Sequence, residues 1–73
     1  MNPITVLSPV ALIEDIPSQS LTKGQIGTVV EHLERDGEQA LLVEFADDQG
    51  QTYAIVDVEP DQLLVLHRKT EAA

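Results

Sequence analysis

The chain has 73 residues, room for one small domain, and no cysteine, which excludes disulfides and thiolate metal sites. Thirteen acids against four bases give a formal charge of −9, which argues against nucleic acid and anionic membrane as partners. No apolar run approaches the roughly 20 residues of a membrane span, and Met1-Asn2-Pro3-Ile4-Thr5 lacks the basic start and apolar core of a signal peptide, so a cytoplasmic location is expected.

Apolar residues make up 42% of the chain, but only Phe45 and Tyr53 are aromatic, so the core must be built from Val, Ile and Leu. These residues fall in short bursts: Val10 to Ile13, Ile26 to Leu33, Ala40 to Ala46, Tyr53 to Val58 and Leu63 to Leu66. Each has the length of a strand and is rich in β-branched residues. No long window keeps a helical stripe, so the chain reads as all-β.

The first burst is followed by a link from Glu14 to Gln25 that carries Pro17, Ser18, Ser20 and Gly24, the composition of a loop. The stretch Leu21-Thr22-Lys23-Gly24-Gln25-Ile26-Gly27-Thr28-Val29-Val30 then places two glycines at the entry of the second strand. Gly24 is expected to end the loop at positive φ, and Gly27 to permit a close backbone approach or a bulge. A phosphate-binding loop would open a helix, and this stretch opens a strand.

Glu34-Arg35-Asp36-Gly37-Glu38 reads as a hairpin loop built on Asp36-Gly37. In the third strand Leu41, Val43 and Phe45 point one way, and Leu42, Glu44 and Ala46 the other. Asp47-Asp48-Gln49-Gly50 is a second tight turn, ended by Gly50. The fourth burst alternates Tyr53, Ile55 and Asp57 with Ala54, Val56 and Val58, and leaves open which set faces the core. Glu59-Pro60-Asp61-Gln62 predicts one turn of 3₁₀ helix with Pro60 at its start, before the last short strand.

The order is strand, long loop, three strands joined by hairpins, one 3₁₀ turn, short strand. That order predicts an SH3-like, five-stranded, partly open barrel over residues 1–73, with its core at about 7–67 and a flexible tail at 68–73.

Chemistry-bearing patterns are sparse. His32 and His67 lie far apart without cysteine, and Asp47-Asp48-Gln49-Gly50 lacks the alternating acids of a calcium loop, so no metal site and no cofactor is expected. Ser18 and Ser20 sit in loop sequence, and Ser8 is in no nucleophile elbow. The carboxylates Glu31, Glu34 and Glu44 have no evident cleft, so the chain is expected not to be an enzyme. One Tyr and one Phe make no aromatic groove for a proline-rich peptide. Lys23, Arg35, Arg68 and Lys69 form no basic track.

The charge is concentrated. Between residues 31 and 61 ten acids (Glu31, Glu34, Asp36, Glu38, Glu44, Asp47, Asp48, Asp57, Glu59 and Asp61) face only Arg35, which places the whole net charge of −9 there. Such a surface either keeps the protein dispersed or docks a basic protein by steered association. Glu31, Glu44, Asp47, Asp48 and Asp57 are the candidate contacts. Self-association through an exposed edge such as Leu63 to Leu66 is a further possibility, opposed by the net charge.

Several spaced blocks carry a resemblance. Val10-Ala11-Leu12, Ile16-Pro17, Leu21-x-Lys23-Gly24-Gln25-x-Gly27-Thr28-Val29-Val30-Glu31, Val43-Glu44-Phe45, Gly50-Gln51-Thr52-Tyr53-Ala54 and Asp61-Gln62-Leu63 resemble a small bacterial family, domain of unknown function 4926, common in cyanobacteria. The glycine stretch also resembles the entry to other SH3-like barrels, including photosynthetic accessory subunits. The resemblance implies an SH3-like fold and no established activity. It also implies a neighbouring short reading frame, as in a toxin–antitoxin pair. The expected function is therefore a small acidic, non-enzymatic protein-binding module, in its sharpest form an antitoxin or immunity-like partner of a basic protein. The alternative is a structural accessory subunit of a larger assembly.

Overall fold

A chain that alternates apolar and polar residues buries one face of each strand, and its hairpins then set the register. The computed structural model describes residues 4–66 and realises that pattern. Its strands are β1 (Pro9–Leu12), β2 (Ile26–Arg35), β3 (Glu38–Ala46), β4 (Thr52–Val58) and β5 (Leu63–Val65). They form one antiparallel sheet in the order β4-β3-β2-β1-β5. The edges β4 and β5 do not pair, so the sheet stays open, consistent with a partly open SH3-like barrel. His67 and the expected tail at 68–73 lie outside the described residues.

One face of the sheet carries the core. Val10, Leu12, Val29, Leu41, Val43, Phe45, Val56, Val58 and Leu63 are buried there, and Leu21 joins them from the long loop. Burial of an aliphatic side chain of this size stabilises by about 1.5–3 kcal/mol. The alternation in β3 is as expected: Leu41, Val43 and Phe45 face inward. In β4 the inward set is Ala54, Val56 and Val58, which leaves Ile55 and Asp57 on the exposed side.

Three details differ from the sequence reading. The β2–β3 loop is only Asp36-Gly37, with Arg35 paired to Glu38. Both turn residues have positive φ, 54° and 80°, the mirror-image turn whose twist matches the strands it joins. The long link also holds a 3₁₀ turn of its own, Pro17–Gln19, so there are two such turns among the described residues rather than one. Pro17 supplies the fixed φ that starts it. An isolated bridge between Ile16 and Leu21 closes this excursion and directs Leu21 into the core. Finally, β2 is irregular between Val29 and Glu31, while Gly27 serves the close backbone approach expected of it: a β-carbon there would stand 2.8 Å from the Glu44 carbonyl oxygen.

Side chains then pin the loops. Asp15 Oδ1 accepts the backbone N–H of Lys23 at 2.7 Å. Gln25 donates from Nε2 to the Tyr53 hydroxyl at 2.7 Å, tying the loop's end to the start of β4. The second 3₁₀ turn, Pro60–Gln62, is held by Gln62. Its Oε1 accepts the Glu59 N–H at 2.9 Å, and its Nε2 donates to Glu14 at 3.0 Å.

Candidate functional site

The exposed side of the sheet can be read row by row from the cross-strand register. One row runs Leu64, Ala11, Ile26 across β5, β1 and β2. The next runs Pro9, Thr28, Glu44, Ile55 across β1 to β4. A third runs Glu31, Leu42, Asp57 across β2 to β4. The irregularity between Val29 and Glu31 brings Glu31 opposite Leu42. The extra residue shifts the phase of β2 so that its acid shares the face of Glu44 and Asp57.

Three of the five candidate contacts, Glu31, Glu44 and Asp57, therefore lie on one face. They are not equally available. Asp57 accepts a 2.7 Å ion pair from Arg35, whose side chain crosses β3 from β2 to reach it. Glu44 accepts a hydrogen bond from the Thr52 hydroxyl at 2.5 Å. Glu31 is exposed.

Asp47 and Asp48 sit apart, in the turn between β3 and β4. Asp47 is committed to that turn. Its Oδ1 accepts the N–H of Gln49 at 2.8 Å and of Gln51 at 2.9 Å, while its carbonyl accepts the N–H of Gly50 at 2.9 Å. Gly24 and Gly50 occupy turns at φ of 95° and 81°.

Sequence reasoning singled out Leu64 only within the run Leu63 to Leu66 and missed the other apolar members of this face. Ile26, Ile55 and Leu64 are each more than half exposed, and Ile13 is exposed at the end of β1. Exposed aliphatics grouped on one face mark a contact surface more often than scattered ones do. A signal for Ile26 existed, since β1 and β2 must alternate, but its phase depends on Gly27 facing inward, which a residue without a side chain does not announce. Tyr53, at 50% exposure, is held by Gln25 and stands 6.5 Å from the Phe45 ring, so it offers one flank of ring and no groove of rings.

At the hairpin end of the sheet a cleft of about 420 Å³ lies between the β2–β3 turn and the second 3₁₀ turn. Arg35, Asp36, Glu38, Asp57 and Glu59 line it together with Gln39, Ala40, Val58 and Gln62. Four carboxylates against one guanidinium give it a negative potential. Among the described residues no group of three His, Cys, Asp or Glu side chains is placed to hold a metal ion. Among them, too, no helix is long and apolar enough to cross a membrane.

Fold and surface define a class: a small, open, five-stranded antiparallel β domain with an acid-bearing outer face. Within that class, the model for the family described as Domain of unknown function (DUF4926) matches residues 6–65, and the chain belongs to that family. No curated protein and no solved structure matches the chain.

Proposed function

We propose that the protein is a non-enzymatic, cytoplasmic binding module whose outer sheet face docks a basic protein partner. The observation that supports this is the row Glu31, Leu42, Asp57 beside the row containing Glu44 and Ile55. Carboxylates adjoin the exposed Ile55 and the half-buried Leu42 there, an apolar centre bordered by charge. The acids steer the encounter and the aliphatics hold the complex. In its sharpest form the module is an antitoxin or immunity-like protein that covers a cognate basic protein encoded nearby. Glu31, Glu44 and Asp57 are the primary contacts, with Asp48 at the margin. Co-expression with the product of the adjacent reading frame tests it. A stable complex is expected at about 50 mM salt, weakened at about 500 mM, where the screening length falls several-fold. No complex at low salt refutes it.

The second reading, an accessory subunit of a larger assembly, draws on the uncharged row Leu64, Ala11, Ile26. Contacts through that row would survive high salt, and Ile26→Asp would abolish them.

A further inference from the structure

We propose that the free edge of β4 accepts an added strand from the basic partner, a segment in which Lys or Arg alternates with apolar residues. This rests on the docking reading above and specifies how the partner engages.

The two sheet edges differ. β5 is three residues long, and brevity blunts an edge. β4 is seven residues long and contains neither Pro nor Lys, the residues that discourage strand addition. The one irregularity against β3 lies between Phe45 and Ala46 and disturbs only the start of β4. Ala54 to Val58 pair without a break against Phe45 to Leu41, which leaves a regular run with one side of its backbone unpaired among the described residues.

The side chains of that run state what the added strand must carry. Val56 and Val58 are buried and Ala54 is half-buried on one side, so apolar residues there would extend the core. Ile55 and Asp57 are exposed on the other side, where a row of basic side chains lays an aliphatic stem on Ile55 and sets a charge against Asp57. Beyond Val58 the strand runs into the cleft where Asp36, Glu38, Asp57 and Glu59 outnumber Arg35, which suits a further basic side chain.

Charge selects the occupant. A second copy would bring one net charge of −9 against another, whereas a basic strand is attracted to the same edge. Main-chain hydrogen bonds supply the affinity and the alternation supplies the register, the general logic of strand addition.

The test uses the intact protein with the synthetic peptide Lys-Val-Lys-Val-Lys-Val-Lys. A second peptide of equal charge carries N-methyl groups on alternate amides, which remove its strand hydrogen bonds. At about 50 mM salt the first peptide is expected to bind and to slow amide exchange within Ala54–Val58, and methylation to weaken binding at least tenfold. Equal binding of both peptides, with NMR shifts confined to the outer face around Glu31, Leu42 and Glu44, overturns strand addition and leaves charge docking standing. No binding of either peptide overturns both. Protection of Ala54–Val58 that grows with protein concentration, without peptide, overturns the choice of occupant in favour of a second copy.

Discussion

The ring of Phe45 fills the space in which a β-carbon on Gly27 would stand. The two residues face each other across β2 and β3, and a methyl group at position 27 would come within 2.9 Å of Phe45 Cδ1, 2.7 Å of Val43 Cγ1 and 2.8 Å of the Glu44 carbonyl oxygen. Two of those neighbours are buried side chains and the third is backbone, so little can yield. Gly27→Ala is expected to destabilise the fold by about 1–3 kcal/mol through overpacking. In a domain of this size that lowers the melting temperature by roughly 4–8 °C per kcal/mol. An unchanged melting curve contradicts the packing argument.

The Asp36-Gly37 turn makes a separate demand. Gly37 holds φ at 80° in open space, so a side chain there meets no neighbour and only the backbone resists it. Gly37→Ala is expected to cost about 1–2 kcal/mol, the left-handed penalty of an L-residue. Asp36→Gly should be neutral or slightly stabilising, because Asp36 also sits at positive φ. Paired thermal melts of the two variants check this, and equal losses from both would contradict it.

Asp47 and Asp48 are adjacent acids with different work. Asp47 Oδ1 accepts two backbone N–H groups, and Asp48 has no such role in the turn. Asp47→Ala is expected to cost about 0.5–1.5 kcal/mol by removing the hydrogen bonds that hold the turn, its freed N–H groups passing to water. Asp47→Asn keeps an acceptor oxygen and most of the stability. Asp48→Asn changes stability little, and on the docking reading it weakens the basic partner more than Asp47→Asn does. Denaturant midpoints and partner affinities measured on the same variants separate the two roles.

Much of this was legible in the sequence, and the rest was hidden for definite reasons. The β3 phase could be read because its two faces differ in polarity, Leu41, Val43 and Phe45 against Leu42, Glu44 and Ala46. In β4 both sets are apolar apart from Asp57, so only pairing with Val43 and Leu41 decides that Val56 and Val58 go inward. Leu21 stood in a Pro- and Ser-rich stretch that looks like solvated loop. The Ile16 bridge, the Pro17–Gln19 turn and the Asp15 carboxylate on the Lys23 N–H fold that stretch back onto the core. Glu44 could be assigned to the outer face of β3, but Glu31 and Asp57 could not be assigned to a face. Placing Glu31 beside Leu42 and Asp57 requires the one-residue shift between Val29 and Glu31, which no local residue pattern specifies.

The Arg35–Asp57 pair sets a partner against stability. The pair is short, 2.7 Å, but both side chains are well exposed, 69% and 40%, and exposed pairs contribute about 0–1 kcal/mol. Arg35→Gln should therefore change the melting temperature by only a few degrees. The same replacement removes the one positive charge among Asp36, Glu38, Asp57 and Glu59 and frees Asp57 for an incoming base. Binding of the Lys-Val peptide at low salt is expected to strengthen by about fivefold, the worth of one charge near 4 Å in water. A weaker complex would place the partner's base elsewhere.

Salt should act on the free protein and on its complex with opposite sign. Ten acids and one base lie between residues 31 and 61, so the folded chain holds like charges nearer together than the unfolded chain does. The Arg35–Asp57 attraction is too exposed to offset that repulsion. Raising salt from about 10 to about 150 mM shortens the screening length from roughly 30 to roughly 8 Å, which relieves repulsion between carboxylates on neighbouring strands. The free protein is thus expected to melt at a higher temperature as salt rises, while the complex with a basic partner dissociates over the same range. A melting temperature that falls with salt would mean that attraction, not repulsion, dominates this surface, and the acidic docking face would lose its electrostatic basis.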